Sequence, residues 1–132
     1  MTDTRMPRIL VVDDEERVRS LLCDLLTAWG CEPVEASSSD KALALFEQGD
    51  YDLVLTDFLM SGRSGLELVR DVRSRDAAIG VIMFTASSVD LDADSQQLEF
   101  TLLRKPVQLD GLKSAVGHAL KGRPRGASLA FL

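Results

Sequence analysis

Five residues of this chain have the types and positions to do chemistry together. Asp13 and Asp14 follow the apolar run Ile9-Leu10-Val11-Val12, and Asp57 follows Leu53–Thr56. Thr85 follows Val81–Phe84, and Lys105 follows Phe100–Leu103 after one intervening arginine. Each stands just past a short apolar run. Carboxylates gathered in one place repel, and each disfavours ionisation of the next. A hard divalent cation relieves that repulsion. Mg2+ takes one or two carboxylates, several waters and a phosphate oxygen. A lysine opposite adds positive charge for a phosphoryl group, and a threonine hydroxyl can donate to one of its oxygens. These are the parts of phosphoryl transfer: metal clamp, cation and positioned nucleophile. A carboxylate can be that nucleophile. Asp57 is the choice, because it stands alone while Asp13 and Asp14 are paired for metal.

The elements that must position these groups are legible in the apolar pattern. Arg8–Val12 reads as the first strand. Val18, Leu21, Leu22, Leu25, Leu26 and Trp29 then fall at the intervals of one helical face, with Gly30 as a stop. Glu32–Ala36 is a short strand containing Pro33, which cannot donate to a ladder and so belongs at a sheet edge. Ser38 or Ser39 caps a second helix that Gly49 ends. Leu53–Thr56 is the third strand, Leu66, Val69 and Val72 mark a third helix, and Val81–Phe84 is the fourth strand. The polar, aspartate-rich stretch 88–97 is expected as a poorly formed helix or a mobile loop. Phe100–Leu103 is the fifth strand, and Leu109, Leu112, Val116 and Leu120 mark a last helix closed by Gly122. Residues 123–132 read as a tail, leaving 1–122 as one domain.

Strands alternating with helices specify an α/β fold: a doubly wound, five-stranded parallel sheet with helices on both faces. The solidly apolar first, third and fourth strands suit its centre, and Pro33 puts the second strand outside the first. In such sheets the ligand site lies beyond the C-terminal strand ends, which is where the five residues stand.

Composition narrows the classes. The 132 residues are 45% apolar, the size and make-up of one globular domain. With 21 acidic against 15 basic residues the net charge is -6, which argues against sequence-independent DNA binding and suits cations or basic protein patches. Cys23 and Cys31 match no zinc or redox spacing, and Cys23 among leucines reads as a small buried hydrophobe. No run approaches the ~20 apolar residues of a membrane span, and MTDTRMPR lacks a signal peptide's apolar core. A cytoplasmic protein with reduced thiols, no DNA binding and no membrane insertion is expected.

In its acidic doublet, in "LVLTDFLMSGRSGLEL", in "VIMFTAS" and in "LLRKPV", the chain resembles the receiver domain of bacterial two-component response regulators over roughly residues 7–121. The resemblance implies the strand order 2-1-3-4-5 of a flavodoxin-like fold. It implies that Asp57 accepts phosphate from a histidine kinase or histidine phosphotransfer protein. Asp14 would ligate Mg2+ directly, Asp13 through water, and the backbone carbonyl of Leu59 would be a further ligand. Thr85 and Lys105 would contact the phosphoryl group, and the Lys105–Pro106 bond would be cis. Such a protein is a signalling switch acting on a downstream protein, not an enzyme beyond its own phosphoryl transfer and slow autodephosphorylation. The "LLRKPV…LDGL" ending looks like receivers attached to hybrid kinases, which suits a relay.

The chain departs from the family pattern in two places. The loop after the acceptor usually carries a proline where Ser61 stands next to Gly62, so a looser loop is expected; a glycine common where Ser39 stands is replaced without expected consequence. Leu102 stands where a tyrosine or phenylalanine usually precedes the lysine, and the nearest aromatic is Phe100, on the same strand face. Phosphorylation is therefore expected to act by ordering or shifting 88–97 rather than by a ring flip. Simpler readings exist for single residues. Asp13 and Asp14 could cap a helix, Asp57 could start a turn, Thr85 could cap a helix, and Lys105 could be a solvated charge. The competing whole-chain reading is an interaction module that keeps the fold without using phosphate. An aspartate-nucleophile phosphatase needs a second acid two residues after the nucleophile, where this chain has Leu59.

Overall fold

The computed structural model describes residues 6–60 and 62–121. The chain alternates strictly: β1 (Arg8–Val12), α1 (Glu16–Ala28), β2 (Glu32–Ala36), α2 (Ser39–Gln48), β3 (Leu53–Asp57), α3 (Gly65–Arg75), β4 (Gly80–Thr85), α4 (Asp92–Leu98), β5 (Thr101–Arg104) and α5 (Leu109–Lys121). The strands form one parallel sheet in the order β2-β1-β3-β4-β5. This is the doubly wound, flavodoxin-like arrangement, with Pro33 on an edge strand.

The period of two along each central strand sends side chains to two separate cores. Ile9, Val11, Leu53, Leu55, Ile82 and Phe84 pack with Leu22 and Leu26 of α1, with Trp29 at its C-terminal cap, and with Leu112, Val116 and Leu120 of α5. Leu10, Val12, Val54, Val81 and Met83 pack on the other face with Ala42 of α2 and with Leu68, Val69 and Val72 of α3. Each fully buried aliphatic side chain contributes about 1.5–3 kcal/mol relative to exposure, whereas an exposed ion pair contributes about 0–1 kcal/mol. The two apolar layers therefore hold the sheet, and the surface ion pairs do not. Cys23 and Cys31 are both free and buried in the first layer.

Helix starts follow the expected side-chain chemistry. The Ser38 hydroxyl accepts from the Lys41 amide at 3.1 Å, and Gly49 caps the other end of α2. At α3, Ser64 and Glu67 form a reciprocal capping box.

One expectation resolves and two need correction. Of the poorly formed helix or mobile loop expected over 88–97, the structure has a short helix: Asp92–Leu98 form α4. This short helix lacks a side-chain N-cap and is held by contacts distant in sequence. Arg73 of α3 donates to the carbonyls of Leu98 (2.6 Å), Glu99 (2.8 Å) and Ile79, while Leu91 is buried beneath the α4 start. The fifth strand begins at Thr101 rather than Phe100, because the Phe100 amide closes the helix on the Ser95 carbonyl at 3.1 Å. Glu99 makes that turn with φ 57°. Finally, the periodic apolar faces of the first and last helices, which the sequence suggests as core, are not wholly buried. Leu21 and Leu109 are 59% and 53% exposed. Gly122 and the expected tail 123–132 lie outside the described residues.

Candidate functional site

In a parallel sheet all C-terminal strand ends share one edge, and the register sets what meets there. Asp57 lies opposite Phe84, and Thr85 lies opposite Arg104, so Lys105 follows directly beside Thr85. The Lys105 amide donates to the Thr85 carbonyl at 2.8 Å, and the Lys105–Pro106 bond is cis. The lysine side chain turns inward: its Nζ donates to Asp57 Oδ2 at 3.0 Å. The Asp57 side chain is 12% exposed and that of Lys105 31%. A charge-assisted contact this short and partly desolvated is stronger than a surface pair.

Asp13 is fully buried at the end of β1. Its Oδ1 accepts from the Glu15 amide at 2.9 Å, while Oδ2 has no hydrogen-bond partner among the described residues. Burial raises the Asp13 pKa above its usual 3.8; the Glu15 amide opposes this, the Asp57 charge adds to it, Lys105 opposes it and Asp14 adds to it. Asp13, Asp14, Asp57 and Lys105 thus lie close enough to feel one another's charge. A buried carboxylate oxygen without a donor is costly, and it suits a hard cation with oxygen ligands. The donor set thus fits Mg2+. Among the described residues no three acidic or metal-binding side chains stand close enough to hold an ion by themselves. Asp57 is engaged by Lys105, Asp13 is turned toward Glu15, and Asp14 is exposed. Mg2+ commonly fills such a deficit with waters and phosphate oxygens.

Thr85 is buried, and its Oγ1 accepts from the Ser87 amide at 2.9 Å. A hydroxyl used as acceptor keeps its own proton to donate. The Ser87 carbonyl is in turn held by Arg104 Nη1 at 3.0 Å.

Leu59, 61% exposed, lies in the loop between β3 and α3. Local sequence reasoning missed how this loop is held. The Phe58 amide donates to the Phe84 carbonyl at 2.8 Å, and the Gly65 amide donates to the Phe58 carbonyl at 3.0 Å. A Cβ on Gly65 would stand 2.1 Å from the Asp57 carbonyl oxygen, so only glycine fits. Ser39, which looked inconsequential, is buried and donates to the Arg63 carbonyl at 3.0 Å. Its partner lies 24 residues away, and no local pattern signals such a pairing.

Residues 9–117 match the family described as the response regulator receiver domain. The chain belongs to that family. It is 41% identical over 86 residues to the transcriptional regulatory protein ResD of Bacillus subtilis, covering 65% of this chain and 35% of ResD. It is 34% identical over 115 residues to the transcriptional regulatory protein GlrR of Escherichia coli, covering 86% of this chain and 26% of GlrR. The chain thus spans about a third or less of these curated relatives, whose full activities belong to longer proteins. Among solved structures it is similar to the response regulator TrrA of Thermotoga maritima, crystallised with Mg2+ and BeF. The TM-score is 0.80 at 38% identity, covering 87% of this chain and all of the other.

Receiver domains are signalling switches of two-component systems rather than conventional enzymes, and the family uses Mg2+ for phosphorylation. In this receiver the ring of Phe100 is buried in the α2–α3 layer, with half-buried Leu102 packed against the same cluster. No helix among the described residues is long and apolar enough to cross a membrane.

Proposed function

We propose that this receiver domain is a phosphoacceptor switch of a two-component system or phosphorelay, phosphorylated on Asp57. The observation that carries the reading is the 3.0 Å contact between Lys105 Nζ and Asp57 Oδ2 at the C-terminal sheet edge. An Asp57 carboxylate oxygen attacks the phosphorus of a phosphohistidine; the O–P bond forms as the P–N bond breaks, and the imidazole leaves. Lys105 then passes from carboxylate to phosphoryl oxygen, and the Thr85 hydroxyl donates to another. Asp13, Asp14 and Asp57 carboxylates with the Leu59 carbonyl would hold Mg2+, which when bound neutralises charge on the transferring group.

The donor is a histidine kinase or histidine phosphotransfer protein. Its seat is the apolar groove of about 610 Å³ between α1 and the start of α5, lined by Leu21, Leu25, Val107 and Leu109 and reaching Lys105. The output is contact with a downstream protein, not DNA or membrane, and the compartment is the cytoplasm. Residues 1–122 act as the receiver unit. Because α4 is already helical, phosphorylation shifts the Ala86–Leu91 segment through Thr85 and Ser87 rather than folding a disordered stretch.

Acetyl phosphate with Mg2+, followed by intact mass, tests the central step. One phosphate adduct is expected, lost in Asp57→Asn. No adduct beside a competent control receiver would overturn the reading.

A further inference from the structure

The loop that carries Leu59 has Ser61 where the family resemblance leads one to expect a proline, yet three separate ties converge on one of its residues, Arg63. The buried Ser39 hydroxyl, at the first position of α2, donates to the Arg63 carbonyl at 3.0 Å, with the Ser64 carbonyl at 3.4 Å. The Arg63 guanidinium meets Asp40 of α2 at 3.3 Å through Nε, and Asp71 of α3 at 2.7 Å through Nη1. Buried hydroxyls are nearly always satisfied, and this one is satisfied by loop backbone rather than by its own helix. Both ion pairs are exposed, so neither adds much stability. A planar guanidinium gripped from two helices does fix a direction.

We infer that Ser39 and Arg63 form a strap from α2 and α3 that positions the acceptor loop, and so sets how tightly the site takes Mg2+. Both are positioning residues, and the inference rests on the phosphoacceptor reading. The two ends of the loop are fixed by backbone bonds, Phe58 to Phe84 and Gly65 to Phe58. The strap supplies a further fixed point inside the loop, at Arg63, where the chain turns back toward α3. Releasing it leaves Asp13, Asp57, Thr85 and Lys105 in place, and frees the loop carbonyls alone. The metal site is thereby coupled to the N-terminus of α2, which contributes no ligand.

The test compares Ser39→Ala, Arg63→Gln and the parent by Mg2+ calorimetry on unphosphorylated protein. It adds amide exchange across 58–65 without metal and acetyl phosphate rates against Mg2+ concentration. Mg2+ affinity is expected to fall about tenfold in each variant, as for loss of a group that orients metal ligands. Loop amides exchange faster, and the rate at saturating Mg2+ stays near the parent's. Mg2+ affinity within about twofold of the parent in both variants would overturn the strap, given the roughly tenfold or larger effect such groups carry. Should Ser39→Ala not fold, the exposed Arg63→Gln decides alone. A parent that neither binds Mg2+ nor forms an adduct refutes the phosphoacceptor reading instead. The amide exchange then judges the strap as a device of loop order: unchanged exchange rejects it.

Discussion

Gly65→Ala should injure the site out of proportion to the size of one methyl group. The new Cβ would stand 2.1 Å from the Asp57 carbonyl oxygen and 3.0 Å from its carbonyl carbon. Ordinary contact begins at 3.4 Å, so the oxygen must yield by about 1.3 Å. That oxygen belongs to the peptide following the acceptor, so relief comes by moving α3 outward or by rotating the Asp57–Phe58 peptide. Overpacking of this kind costs about 1–3 kcal/mol. Alanine restricts the unfolded chain and returns roughly 0.4–1 kcal/mol where its conformation is unstrained. The net expectation is a loss of about 1–2 kcal/mol, a fall of several degrees in Tm. Function should suffer more, since a misplacement of about 1 Å at a reacting group can cost ~10²-fold in rate. The assay is thermal melting beside acetyl phosphate labelling read by intact mass. Gly111→Ala in α5 is the control: its Cβ meets only Gln108 Cβ, at 3.9 Å, and relief of helical glycine should stabilise by about 0.5–1 kcal/mol. Parent-like melting and labelling in Gly65→Ala would refute the claim that this glycine is fixed by the acceptor backbone.

Other perturbations separate the remaining claims. Asp13→Asn replaces a buried carboxylate whose Oδ2 lacks a donor. It should stabilise the metal-free protein by about 1–3 kcal/mol and abolish the rise in Tm expected of the parent with Mg2+; a response equal to the parent's would remove Asp13 from the metal site. Leu21→Asp, on the exposed groove, should slow transfer from a phosphohistidine protein while leaving labelling by acetyl phosphate intact; equal loss in both assays would mean damage to the fold. Arg73→Ala removes the clamp on Leu98 and Glu99 and should speed amide exchange across 91–99, with that of β1 and β3 unchanged; protection retained there would show that α4 holds itself. Burial pushes both the Cys23 and Cys31 thiols from 9.0 to about 11. At pH 8 each should therefore alkylate about a hundredfold more slowly in the folded than in the unfolded protein, from the thiolate fraction alone. The sign follows from proton linkage. The folded state holds these protons more tightly, so their effect on stability is absent below pH 9 and increasingly unfavourable from 9 toward 11.

How much of this was legible in the sequence divides along contact range. Ile9–Val12, Leu53–Leu55 and Val81–Phe84 are buried on both faces, so their continuous apolar runs name them as central strands. Pro33 marks an edge because a missing amide is a local property. Strand ends named by these runs also name the sheet edge where Asp13, Asp57, Thr85 and Lys105 stand. What local pattern could not carry is held by partners far along the chain. α4 lacks a side-chain N-cap and buries none of its own residues, so its sequence leaves poorly formed helix and loop undecided, and Arg73 reaches it from 25 residues upstream. Leu21 fits the helical period yet faces out, because the α1 stripe is wider than the core it covers, and the surplus lines a groove instead. The loop after Asp57 makes the same point in the opposite direction. Its missing proline reads as lost rigidity when residues are taken one at a time. A hydroxyl on one helix and a guanidinium between two supply ties that a proline ring cannot make. On the proposed strap, order in the acceptor loop is set by Ser39, Arg63 and Gly65 together, and only a fold that brings them together displays those contacts.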